Sequence, residues 1–177
     1  MEFFVGPILD RAFPQSLSAY VDFGFWGRMF ILLVVAALVR KPEVGPEVGI
    51  VSLFVFDVLA DLFHYGFGGQ PLYFIYEPLT YGAFIDLTIA ITRGHIVGLG
   101  LNSHQTALAV LEGGIIGFLW SISGPILYEA FLRPFIYGAV VDCQKVIFDL
   151  VTAIPGTTIV GAIGGLSSNR VGRAVQV

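Results

Sequence analysis

Residues 104–132, HQTALAVLEGGIIGFLWSISGPILYEAFL, decide the fold of this chain. From residue 105 to residue 128 the stretch carries one charged side chain, that of Glu112. An α-helix of this length is about 40 Å long, which exceeds the roughly 30 Å hydrocarbon core of a bilayer. The stretch therefore predicts a membrane-spanning helix.

Four further apolar stretches come close to the length of a membrane span, namely residues 23–39, 46–65, 71–92 and 134–166. Turn-forming residues, which favour antiparallel neighbours, separate them at 40–42, 66–71, 93–95 and 132–134. Residues 1–22 mix apolar and charged side chains, and we expect a short, broken helix there that either crosses the membrane or lies at its interface. The predicted fold class is all-α, a polytopic transmembrane helical bundle of six helices in a single domain, residues 1–177. Pro155 makes residues 134–166 either one kinked helix or two shorter ones.

The composition excludes several classes of protein. The chain is 56% hydrophobic and 12% charged, so lipid is its expected solvent. A net charge of -4 without a basic block argues against nucleic acid as a partner. The lone Cys143 excludes an internal disulfide and any multi-cysteine metal site. Because no nucleotide-binding loop, paired zinc motif or nucleophile elbow occurs, we expect no enzymatic activity and no cofactor.

The basic residues predict an orientation. Arg40, Lys41, Arg93, Arg170 and Arg173 fall on one side of the predicted bundle. Lysine and arginine accumulate in cytoplasmic loops, so we expect a protein of the cell (plasma) membrane with a cytoplasmic C-terminus.

Small residues recur at the four-residue spacing that lets helices approach closely. The pairs are Gly45/Gly49, Gly113/Gly117 and Gly161/Gly165. We interpret them as internal packing; the alternative is a face that docks a partner subunit.

Ionisable side chains within membrane spans require a partner or a function. Asp57, Asp61 and His64 lie along one helical face, which can bind a cation, share a proton or pair with Arg28. Along the spans the acids outnumber the bases. The interior therefore favours a proton, or a cationic or hydrogen-bond-donating ligand.

Glu77 lies in an aromatic stretch, LYFIYEPLTY at residues 72–81. The rings of Tyr73 and Tyr76 can stack on a flat ligand, and Glu77 can accept hydrogen bonds from the polar edge of that ligand. The alternative is an aromatic belt at the membrane surface with a solvated Glu77. Asp86 lies about half a helical turn out of phase with Glu77, so the two acids should face different partners.

Other charged residues have simpler interpretations. Glu129 and Arg133 have the i, i+4 spacing of an ion pair, and Lys145 lies within reach of both Asp142 and Asp149. His64, His95 and His104 are expected in loops or at the interface, where no two of them meet to ligate a haem.

The pattern of these features resembles a known family. It comprises VGPEVGI at residues 44–50, Asp57 and Asp61, the loop 66–71, Gly82, DLVTAIPG at 149–156 and GAIGG at 161–165. It is similar to the substrate-binding S components of energy-coupling-factor (ECF) vitamin transporters. The chain begins Met1-Glu2-Phe3 rather than with the N-terminal histidine of the family's metal-binding branch, so no metal is expected.

The resemblance implies a protein in the lipid bilayer that captures a small-molecule substrate, a vitamin or vitamin precursor with an aromatic heterocycle, at its outward face. It also implies partners, a transmembrane coupling subunit and ATPase subunits, so that this chain does not hydrolyse ATP. The substrate-binding residues it then predicts are Asp61, His64, Tyr73, Tyr76, Glu77, Trp120 and Glu129.

Two other functions stay open. One is a small membrane subunit of a proton-linked or respiratory complex, in which buried acids relay protons or anchor neighbours. The other is a carrier or channel that acts alone as an oligomer.

Overall fold

The computed structural model describes residues 23–39, 48–60, 75–92, 94–96 and 104–175. Every regular element in these residues is a helix, which confirms the all-α fold class. The predicted N-terminal helix of residues 1–22 lies outside the described residues.

Two apolar helices come first: α1, Phe23–Val39, and α2, Val48–Ala60. The third helical segment, residues 75–92, starts with one α-helical turn, continues as a π-helix over Pro78–Gly82 and ends as α3, Ala83–Thr92. Glycines allow α2 to cross this segment closely. A Cβ on Gly49 would lie 2.5 Å from the Gly82 carbonyl oxygen, so no larger residue fits there without a shift of the backbone.

The fourth helical segment is longer than the sequence predicts. It comprises α4, His104–Ile122, a π-helix, Ser123–Leu132, and α5, Arg133–Tyr137. The turn predicted at residues 132–134 is therefore wrong. Pro134 directly follows the π-helix, in the first turn of α5, and the helix continues through it. The helix ends instead at Gly138, whose φ of 63° is left-handed.

The last helix, α6, Cys143–Val175, is a single helix of 33 residues. It continues through Pro155, so the alternative of two shorter helices is wrong. The helix begins later than the apolar stretch 134–166, at Cys143, and ends later, at Val175. It continues past residue 166 because its last turns, although polar, still pack against α4. Asn169 and Gly172 are both buried there.

The pairing of α4 with α6 depends on the predicted glycines. A Cβ on Gly113 would collide with the Gly161 carbonyl oxygen, and one on Gly161 would collide with that of Gly113. Gly117 and Gly165 are equally close to the opposite backbone. These two glycine pairs thus serve internal packing, as predicted.

The bundle has an apolar core that includes Met29, Leu33 and Ile116, but it also buries charged groups and exposes large aliphatic ones. Among the described residues five charged side chains are buried: Arg28, Asp57, Glu77, Asp86 and Glu112. Large aliphatic side chains are exposed on the outer faces, as at Ile91, Leu111, Val151 and Ile159. Within the described residues two helices, Gln105–Tyr137 and Cys143–Val175, are long and apolar enough to cross a membrane, a property that buried core helices of soluble proteins share.

Candidate functional site

An aromatic cluster joins α1 to the third and fourth helical segments at one end of the bundle. Tyr81 and Trp120 are in ring contact, with centroids 4.8 Å apart, and Phe25 packs against both of them. Tyr76 extends the cluster to Tyr128, with ring centroids 5.2 Å apart. Aromatic pairs at these distances add to the stability gained by burying the rings.

Hydrogen bonds fix two members of this cluster. The Trp120 Nε1–H donates to the Tyr81 carbonyl oxygen at 3.0 Å. The Tyr76 hydroxyl donates to the Ser123 carbonyl oxygen at 2.8 Å. Ser123 begins the π-helix of the fourth helical segment, so this bond ties that turn to the Tyr76 ring. The aromatic rings are therefore held in set orientations rather than packed by shape alone.

A buried ion cluster lies beside the rings. The guanidinium of Arg28 donates to both carboxylate oxygens of Glu77, at 2.6 and 2.7 Å. Asp57 lies 3.5 Å from the same guanidinium, as the interpretation that it pairs with Arg28 predicts. The rings of Phe25 and Phe56 each lie 5.7 Å from the Arg28 Cζ. The cluster ties together α1, α2 and the third helical segment, and a two-point pair of this kind fixes their orientation.

An apolar cavity of about 300 Å³ opens next to Tyr76, between the third and fourth helical segments. This volume is at the lower end of the range for small-molecule sites. The lining residues are Ile75, Tyr76, Leu79, Thr80, Tyr128, Leu132, Ile136 and Tyr137. The Thr80 hydroxyl donates to the Tyr76 carbonyl oxygen at 2.6 Å, so this polar side chain is satisfied within its own helix. The cavity thus offers an almost wholly apolar lining of aromatic and aliphatic carbon to a ligand.

The structure brings together three of the residues predicted to bind substrate. Tyr76 lines the cavity, and Trp120 is two ring contacts away through Tyr81. Glu77 is next to Tyr76 but is buried in the pair with Arg28, and it is not solvated as an interfacial belt would leave it. Asp61, His64 and Tyr73 lie outside the described residues.

The fourth described candidate, Glu129, lies apart from the cavity lining. Arg133 donates to its carboxylate at 2.7 Å, which confirms the predicted ion pair. Lys145 lies 3.9 Å from the other carboxylate oxygen and bonds Asp149 at 2.8 Å. Asp142 instead accepts the backbone N–H of Lys145 at the start of α6. This group of charges is partly exposed and connects the fourth helical segment to α6.

Sequence reasoning missed a second buried polar cluster, which lies at the opposite end of the α4–α6 pair. The Nδ1 of His95 is paired with Glu112, whose other oxygen accepts the Ile96 N–H at 2.8 Å. Asn169 of α6 donates to the His95 carbonyl oxygen at 2.7 Å. A buried glutamate within an apolar helix requires a partner. That requirement at Glu112 was the signal in the sequence from which this cluster could have been predicted.

Asp86 has a structural role. Its carboxylate accepts the N–H groups of Gly49, at 2.7 Å, and Ile50, at 3.0 Å. These donors belong to the first turn of α2, where an α-helix leaves its N–H groups without internal partners. Asp86 and Glu77 thus have different partners, as their phase in the helix predicts.

No family model matches this chain, and neither the curated proteins nor the solved structures contain a significant match.

Proposed function

We propose that this chain is an integral protein of the cell membrane, with its C-terminus in the cytoplasm. The support is the exposure of many large aliphatic side chains on the outer faces of the helices, together with the burial of charged groups such as Arg28, Glu77 and Glu112. Only 17% of the most apolar window of α6 is buried, and the side chains of Val151, Ile159 and Ile163 on this helix are more than half exposed. Such a surface is favourable in hydrocarbon and costly in water.

Within that membrane, the proposed function is capture of a small micronutrient, a vitamin or vitamin precursor. The observation that carries this proposal is the cavity of about 300 Å³ beside Tyr76. In the proposed orientation the basic residues lie on the cytoplasmic side, so this end of the bundle faces outward, where a substrate-capture subunit would meet its ligand. Tyr76 and Tyr128 offer ring faces on which a flat, heterocyclic ligand stacks.

The ion cluster has an indirect part in this proposal. Because both oxygens of Glu77 are bonded to Arg28, its carboxylate is not the primary ligand group. The pair instead holds the backbone that carries Tyr76. Glu77 is then a positioning residue, and the stacking residues are Tyr76 and Tyr128.

The proposed assembly follows from the resemblance to S components. The chain contributes the binding site, and a transmembrane coupling subunit with ATPase subunits supplies the energy. On this proposal the isolated chain binds ligand and hydrolyses no ATP.

Native mass spectrometry of the purified chain tests the proposal. We expect a co-purified small molecule, or binding of one member of a panel of vitamins and their precursors. A Leu132→Trp variant fills the cavity and should lose the ligand. The matched control is Ile126→Trp, on an exposed position of the same π-helix outside the cavity lining, which should keep it. A chain that carries no small molecule and binds none of the panel would rule out this function.

A proton-linked membrane subunit is the second candidate, and the pairing of buried Glu112 with His95 favours it. Both groups exchange protons, and they lie next to each other within the helical bundle. Purification from native membranes tests this candidate. Recovery of the chain in fixed stoichiometry with an oxidoreductase would support it, and recovery without one would exclude it.

A further inference from the structure

Two buried amide oxygens of the α4–α6 pair have no hydrogen-bond partner within the part of the chain that the structure describes. They are Oδ1 of Asn169 and Oε1 of Gln105. Asn169 is 1% exposed. Buried acceptors of this kind are rare in folded proteins because each has lost its hydration without compensation. The two oxygens therefore point to a bound species that the helices themselves do not supply.

The packing register places these two residues opposite each other. Gly161 contacts Gly113, and Gly165 contacts the backbone of Ala109 four residues further along. One more turn in the same antiparallel register pairs position 169 with position 105. The helices stay in contact beyond this point, because Arg173 donates to the Thr106 hydroxyl at 3.4 Å.

The orientation of the Asn169 amide is fixed by its neighbour. Its Nδ2 donates to the His95 carbonyl oxygen at 2.7 Å. Its Oδ1 is therefore the amide atom that can contact a ligand. The His95 carbonyl oxygen has a second lone pair and lies on irregular backbone between two helices. Three neutral oxygen ligands thus come from α4, α6 and the turn that contains His95.

The charge of the cluster favours a cation. Glu112, which is 3% exposed, is joined to this turn through both carboxylate oxygens. Arg173 is exposed and directed to Thr106. Amide and carbonyl oxygens suit hard cations, whereas calcium and magnesium also require several carboxylates as ligands.

We propose that Gln105 Oε1, Asn169 Oδ1 and the His95 carbonyl oxygen form a binding site for a sodium ion at this end of the α4–α6 pair. Carbonyl groups of irregular backbone beside helix ends are ligands for sodium in membrane transporters. The ion adds a link between the turn that contains His95 and the two packed helices, beside the Asn169 hydrogen bond and the Glu112 contacts. This proposal is independent of the ligand cavity, which lies at the opposite end.

Thermal unfolding of the purified full chain in detergent tests the site. Sodium chloride is titrated against choline chloride at constant ionic strength, and the midpoint of unfolding is followed. A ligand that binds only the folded state raises the midpoint, so sodium should produce a saturable rise. Gln105→Leu, which keeps the bond between Asn169 and His95, should weaken the apparent sodium affinity at least tenfold. Asn169→Leu should abolish the rise.

The matched control is Thr158→Val. Thr158 also has a buried oxygen without a partner in the described part of the chain, but it lies on α6 more than two turns from Asn169. This variant should keep the full response to sodium. The proposal is overturned if sodium and choline give the same midpoint, which would leave a water molecule at the site. It is also overturned if potassium raises the midpoint as much as sodium, or if Gln105→Leu responds like the unmodified chain.

Discussion

Arg28 and Glu77 form a two-point ion pair inside the bundle, with N–O distances of 2.6 and 2.7 Å. They are 49 residues apart in the chain, and both are buried. Their pairing ties α1 to the start of the third helical segment, directly beside the Tyr76 ring. A charge pair that lies outside the cavity therefore holds the backbone beside Tyr76, which lines the cavity.

The first prediction concerns this pair. Glu77→Ala leaves a buried guanidinium without its main partner, and loss of one partner of such a pair costs about 3–5 kcal/mol. We expect a clear decrease in the midpoint of thermal unfolding in detergent. The double variant Arg28→Met, Glu77→Leu removes both charges and should regain much of that loss. If Glu77→Ala unfolds at the same temperature as the unmodified chain, the pair does not hold the helices together.

The glycine contacts between α4 and α6 give the second prediction. Gly113→Ala places a methyl group against the Gly161 carbonyl oxygen and should separate the two helices. The expected cost is about 1–3 kcal/mol, as for other overpacked cores. The neighbouring Gly114→Ala is the control, because its nearest new contacts are at 3.9 Å. Unfolding midpoints measured side by side should fall for the first variant only, and equal effects would disprove the close crossing.

The third prediction concerns the cap of α2. Asp86→Ala removes the acceptor of the Gly49 and Ile50 N–H groups, at a cost of about 1–3 kcal/mol for buried donors. Asp86→Asn keeps one acceptor oxygen and should cost less. Hydrogen exchange followed by mass spectrometry should show faster exchange in the first turn of α2 for the alanine variant. Unchanged exchange there would show that α2 does not depend on this carboxylate.

Local spacing predicted much of the fold. The helical class, the packing of the Gly113 and Gly161 pairs, and the ion pair of Glu129 with Arg133 all follow from residues within one or two turns of each other. Such interactions depend on helix geometry alone, which sequence spacing gives directly.

The differences between prediction and structure have physical causes. The turn expected at residues 132–134 is absent because a π-helix precedes Pro134 and brings it into the first turn of α5. The partner of Glu77 depends on how α1 crosses the third helical segment, which no local pattern specifies. The pairing of Glu112 with His95 spans only 17 residues and was within reach of sequence reasoning, since a buried acid required a partner near the loop.

The proposed function requires that hydrocarbon surrounds these helices. Alkaline carbonate extraction of membranes from cells that express the chain measures whether it does. We expect the chain to stay in the membrane pellet after carbonate treatment and to enter solution only with detergent. Recovery of the chain in the carbonate supernatant, monodisperse without detergent, would show that the protein is not embedded in the membrane.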